Sequence, residues 1–182
     1  MRILWSGLVL IATLACAHAV PDRAFVFDGE LYAKAYENGP NPAERFAEFT
    51  RAGETVESWR KLFVVHWFPA DTGSAAEAAA RLAKLAQTRD RSAHVLVSEN
   101  GASAEALVHF TASSPSSDVV EVDAFKYAPA ADRKGLVAVQ FSFRFTPGKS
   151  PPALVKAARQ HMVDEIRNFD LGQVRAYFQP SL

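Results

Sequence analysis

The 182 residues contain a single cysteine, Cys16, and it stands inside an N-terminal segment that reads as a cleaved leader. A chain that loses it has no disulfide, no thiolate zinc ligand and no cysteine nucleophile, so stability must come from an apolar core. No phosphate-cradling glycine loop, dinucleotide-binding glycine pattern, haem-attachment motif or Gly-x-Ser-x-Gly elbow occurs. Charge of one sign is also missing. The 20 Lys and Arg balance 20 Asp and Glu, and neither gathers into a block, which argues against a nucleic-acid partner, since that would favour a basic stripe. Beyond the leader no apolar run approaches the ~20 residues of a membrane-spanning helix.

Residues 1–19 carry the marks of a secretory signal. Arg2 gives a short positive n-region, Ile3–Ala15 is an apolar run broken only by Ser6, Gly7 and Thr13, and Ala17-His18-Ala19 places small residues at −3 and −1 of a cleavage site. Lipoprotein processing at Cys16 is the rival reading, although Leu14 stands one place too late for the usual lipobox. Cleavage after Ala19 leaves 163 of the 182 residues, enough for one domain, 20–182, and short for two. The expected location is periplasmic or secreted.

Hydrophobic periodicity then predicts an α+β domain. Strands are expected at 24–27, 31–36, 61–68, 94–98, 104–111, 119–127 and 136–146, with 45–51 leaning to strand, so that six to seven strands form one antiparallel sheet. In the last of these, Val137, Val139, Phe141, Phe143 and Phe145 alternate with Ala138, Gln140, Ser142 and Arg144, which predicts one core face and one wetter face. Ser74 with Glu77 makes a capping box ahead of an alanine-rich helix over 75–88. Pro151 opens a second helix over 151–168, with an apolar stripe of Leu154, Ala158, Met162, Ile166 and Phe169.

The segment Gly53-Glu54-Thr55-Val56-Glu57-Ser58-Trp59, running into an apolar strand, resembles a Gly-Glu-Thr-apolar-x-x-Trp segment of small exported Gram-negative bacterial proteins without an assigned activity. The order of elements resembles the Mog1/PsbP-like architecture. The resemblance implies a binding or accessory domain and transfers no catalytic residue. Read from the residues alone, Glu54 caps a tight turn and Trp59 plugs the sheet edge.

Strand parity puts His66, His94 and His109 on the face opposite the main core, where Glu121, Asp123, Gln140 and Arg144 join them. These side chains form the candidate ligand site, open to a metal in principle, although no two histidines stand at a metal-motif spacing. His161, beside the stripe of the last helix, reads as a partly buried, hydrogen-bonded ring. The leading expectation is a non-enzymatic, cofactor-free domain that binds a protein or small ligand through this face or through the loops at 38–59 and 112–118. A small metal-dependent or hydrolytic enzyme built on His66, His94 and His109 is the alternative, and a periplasmic immunity-type inhibitor is a third.

Overall fold

The computed structural model describes residues 24–179, apart from 42, 92, 103, 114–117 and 132–133. The leader, its cleavage site and Cys16 therefore lie outside the described residues. Asp28 and Gly29 both take positive φ, 51° and 68°, the combination that a two-residue hairpin turn of matching twist requires. They join β1 (Ala24–Phe27) to β2 (Glu30–Glu37), with Phe27 opposite Glu30. Strand β3 (Arg45–Thr50) follows, so the leaning towards strand at 45–51 holds, and β4 (Lys61–Phe68) completes a first antiparallel meander.

After β4 the chain crosses the sheet as α1 (Ala75–Arg89). Its capping box is formed: the Ser74 hydroxyl accepts from the Glu77 amide, and the Glu77 carboxylate accepts from the Ser74 amide at 2.7 Å. Such reciprocal capping is worth about 1 kcal/mol. Only alanines, Ala75, Ala78, Ala79 and Ala86, are fully buried from this helix, so it lies close on the sheet. A second meander runs through β5 (Leu96–Asn100), β6 (Glu105–Ser113), β7 (Val120–Pro129) and β8 (Leu136–Phe145). Strand β8 pairs with β4, fusing the two meanders into one sheet of order β1-β2-β3-β4-β8-β7-β6-β5. Helices α2 (Pro152–Asn168) and α3 (Gly172–Tyr177) then cover the other face.

The α+β class and the antiparallel sheet agree with the sequence reading. The described sheet has eight strands where six to seven were expected, and three helices where two main ones were expected. The eighth strand comes from 45–51, whose alternation is too short to identify alone but which is held between β2 and β4. The last helix, of six residues, carries too few turns to show a period.

The α2 face holds the larger core. Phe25, Phe27, Phe49, Phe63 and Phe141 interlock there, Phe25 edge-on to Phe49 at 4.9 Å between ring centres and Phe27 against Phe141 at 4.6 Å. Met162, Val163 and Ile166 close it from above. At roughly 2–3 kcal/mol per buried phenyl ring, this cluster dominates the fold's stability. The apolar stripe expected on α2 is buried only in its second half; Leu154 and Ala158 are exposed.

The α1 face is not the wet face that alternation suggested. Phe110, Phe125, Tyr127 and Leu136 form a second core beneath α1. Trp59, only 7% exposed, folds over Leu62 and Val64 as a third. Because β4 lies at the centre of the sheet, Trp59 covers a face and does not plug an edge. Glu54 does hold the preceding turn, accepting from the Arg60 amide at 3.2 Å and pairing with Arg51.

Candidate functional site

Between the second and third cores the α1 face carries a run of polar side chains. Register places His66 opposite Ala138, Ser142 opposite Asp123, and Arg144 opposite Glu121. His66, Gln140, Ser142, Asp123, Glu121 and Arg144 therefore share this face across three adjacent strands. Asp123, Ser142 and His66 are buried, at 4%, 0% and 7% exposure, so each must find a partner within the protein.

They do so as a chain. The His66 ring meets the Glu44 carboxylate through Nδ1 at 2.8 Å and the Gln140 side-chain carbonyl through Nε2 at 3.2 Å. The Gln140 amide donates to the Ser142 hydroxyl at 2.9 Å and to Asp123 Oδ1 at 3.3 Å, while the Ser142 hydroxyl donates to the same Asp123 oxygen. Burial, and then the neighbouring Glu121, push the Asp123 carboxyl above its ordinary range. Glu121 itself accepts from Arg144 Nε at 3.0 Å, and the Arg144 guanidinium lies 3.6 Å from the centre of the Trp59 ring, a cation–π stack. The polar chain thus ends at the same tryptophan that caps the third core.

Beside this chain a cleft of about 340 Å³ opens between the second half of α1 and the sheet. Leu82, Ala86 and Arg89 form its helical wall, and Phe110, Asp123 and Gln140 lie in its floor. Its floor passes from the rings of Phe110 and Phe125 to Asp123 and Gln140, whose polar groups give the helix little apolar surface to pack on.

Of the residues expected to converge, His66, Glu121, Asp123 and Arg144 do. His109 does not. Its strand neighbours Val108 and Phe110 lie under α1, so the ring points to the α2 face, where Nδ1 accepts from Arg159 Nε at 3.2 Å. Parity misassigned it because β6 is covered on both sides and apolar residues alternate with nothing diagnostic. Burial and the facing Arg159 lower the His109 pKa to about 4, which keeps the ring neutral and able to accept. His94 precedes β5, which begins at Leu96, two residues later than expected; the ring is exposed, and its backbone carbonyl accepts from Arg159. Two residues of the chain were missed. Ser142 carried a signal, sharing the parity of Gln140 and Arg144. Glu44 carried none, because it precedes β3 and only the pairing of Phe46 with His66 brings it near the ring.

His161, expected to be partly buried, is exposed, and its Nε2 lies 2.7 Å from Asp28 Oδ1 in the β1–β2 turn. Glu165 stands one helical turn further along α2, and one donor atom from each of these three residues falls within 4.8 Å of the others. No other such group occurs among the described residues. Asp28 and His161 also border a separate cavity of about 390 Å³ beside α2.

A protein-family model matches residues 19–171, so the chain belongs to that family, an uncharacterised bacterial one. No curated protein and no solved structure matches the chain at a significant level.

Proposed function

We propose that this member of the family is an exported, non-enzymatic binding domain that takes a small polar ligand in the cleft between α1 and the sheet. The observation that carries this reading is the buried Asp123 in the floor of a 340 Å³ cleft, with Gln140 beside it. A concave site with apolar walls and a few fixed polar groups is the usual form of a small-molecule seat. Asp123 and Gln140 together offer acceptor oxygens and an amide, which suits a ligand bearing N–H or O–H donors. The Ser142 hydroxyl donates to Asp123, and the His66 ring is held by Glu44 and Gln140, so within this polar chain the imidazole does not face the hydroxyl as a base. That arrangement favours binding over hydrolysis.

Export to the periplasm or beyond rests on the pattern of residues 1–19, and the family match begins at residue 19, where that pattern ends. Helices on both faces of an antiparallel sheet are what supports the Mog1/PsbP-like resemblance. No helix among the described residues is long and apolar enough to cross a membrane.

The test is native mass spectrometry of the protein purified from a periplasmic expression, beside an Ala112→Trp variant, whose ring fills the cleft from β6 opposite Glu121 and whose folding is checked by circular dichroism. A bound small molecule in the parent and a bare mass in the variant support the reading. A bare mass in both, or the same adduct in both, overturns it.

A further inference from the structure

The cleft accounts for neither the cavity beside α2 nor the cluster of donor atoms near it. Asp28, His161 and Glu165 come from segments 133 residues apart in sequence, brought together where the tip of the β1–β2 hairpin meets α2. Each has a structural reason for its place. Asp28 occupies the first position of a two-residue turn at positive φ, where a short polar side chain is tolerated and the hairpin tip is aimed at the helix. His161 and Glu165 are four apart and share one side of α2. They sit at its middle, after the exposed first turns and against the edge of the core.

An imidazole and two carboxylates are the donor set of divalent transition metals of the zinc type. Two carboxylates and a neutral ring also balance a charge of two. Metal–ligand bonds of about 2.0–2.2 Å place tetrahedral donors about 3.3 Å apart. The present separations, from 2.7 Å for His161 and Asp28 up to 4.8 Å, reach this by small side-chain rotations. The hydrogen now held between His161 Nε2 and Asp28 Oδ1 lies where an ion would sit.

The surroundings are a second and independent observation. A structural zinc site is closed by a fourth protein ligand, whereas a site that binds an exogenous ligand keeps a position open. Here Asp28 and His161 line a cavity of about 390 Å³ with Phe27, Phe141 and Met162 among its other lining residues and Arg51, Arg60 and Lys61 at its wall. Arg51 is paired with Glu54 and Glu30, and Lys61 with Glu30 at 3.0 Å and Asp28 at 3.8 Å. These pairs hold the walls in place, and the Lys61 contact orients the Asp28 carboxylate in the way that outer partners orient metal ligands. Cations around an open coordination position select an anionic oxygen ligand.

We propose that Asp28, His161 and Glu165 form a divalent-metal site of the zinc type, whose open positions face the cavity beneath α2 and take an anionic ligand such as phosphate or a carboxylate. This site is separate from the cleft beneath α1 and stands or falls without it.

Calorimetric titration of the full, metal-stripped protein with Zn²⁺ tests it, with Glu165→Gln and His161→Ala beside the parent and circular dichroism to check folding. Glu165→Gln is isosteric, so it keeps the test valid should His161→Ala disturb the hairpin contact. The expected result is one Zn²⁺ per chain, with affinity lowered at least tenfold in either folded variant. Inorganic phosphate is then titrated into the zinc-loaded protein, where Arg60→Ala should weaken phosphate at least threefold and leave Zn²⁺ affinity unchanged. No saturable binding at one ion per chain, or binding unaltered in Glu165→Gln, overturns the metal site. Phosphate that binds equally well without zinc, or not at all, overturns the anion position.

Discussion

Replacing Lys126 by methionine removes one charge from a buried position and should cost the protein about 3 kcal/mol. Lys126 lies on β7 with 7% exposure, on the α2 face. Its ammonium donates to the backbone carbonyls of Arg167 at 2.9 Å and Phe169 at 3.0 Å, and it pairs with Glu105 at 3.1 Å. The two carbonyls belong to the last turn of α2 and to its C-cap residue, Phe169, where orphan acceptors and the negative end of the helix dipole collect. One ammonium thus serves as a C-cap delivered from the sheet. A hydrogen bond with a charged partner contributes roughly 1.5–3 kcal/mol, so the two carbonyl contacts together give about 3–6 kcal/mol. Methionine recovers part of this by burying its thioether chain, and Glu105, partly exposed, regains water, which brings the expected net loss to about 3 kcal/mol. For a domain of this size that is a fall in Tm of about 6–12 °C. Urea unfolding of parent and Lys126→Met, followed by tryptophan fluorescence, measures it at unchanged m. Amide exchange around residues 166–172 should quicken more than exchange in β4. A loss below about 1 kcal/mol, or exchange that quickens evenly, would refute the capping argument.

Two further outcomes follow from the same structure. Gly135 has φ +94°, and a Cβ there would stand 2.0 Å from the Phe68 carbonyl oxygen, so Gly135→Ala should cost at least about 3 kcal/mol, whereas Gly101→Ala, with open space around it, should change Tm little; equal effects would sink the steric reading. His109 titrates near 6.5 when unfolded and near 4 when folded, so the unfolded state binds more protons between those values and stability falls as pH drops through that window. The full difference corresponds to about 3.4 kcal/mol at ~1.36 kcal/mol per pH unit, and the half-buried ring lowers it to about 1–2 kcal/mol after solvent screening. His109→Gln should flatten the unfolding midpoint between pH 6.5 and pH 4 by that amount relative to the parent, and identical pH profiles would count against the buried neutral ring.

Local chemistry was legible along the chain wherever a signal acts within a few residues. The capping box at Ser74 and Glu77 needs only one helical turn to operate, and Asp28-Gly29 needs only its own two dihedral angles. The alternation of β8 was visible because ten residues run past both faces of the sheet. Those features determined the α+β class, the antiparallel pairing and nearly every element.

What the sequence could not determine was which face each strand turns towards which helix. Parity says that His109 opposes Val108 and Phe110, but both faces of β6 are covered, so only the crossing of α1 decides that the valine side lies with His66 and the histidine side with Arg159. The same holds for Glu44 and His66, which meet only once β3 has paired with β4, and for Asp28 and His161, which meet only after α2 has settled over the first hairpin. A period of two or of 3.6 residues records what is near in the chain, whereas a site assembled from segments up to 133 residues apart is recorded only in the packing of layers.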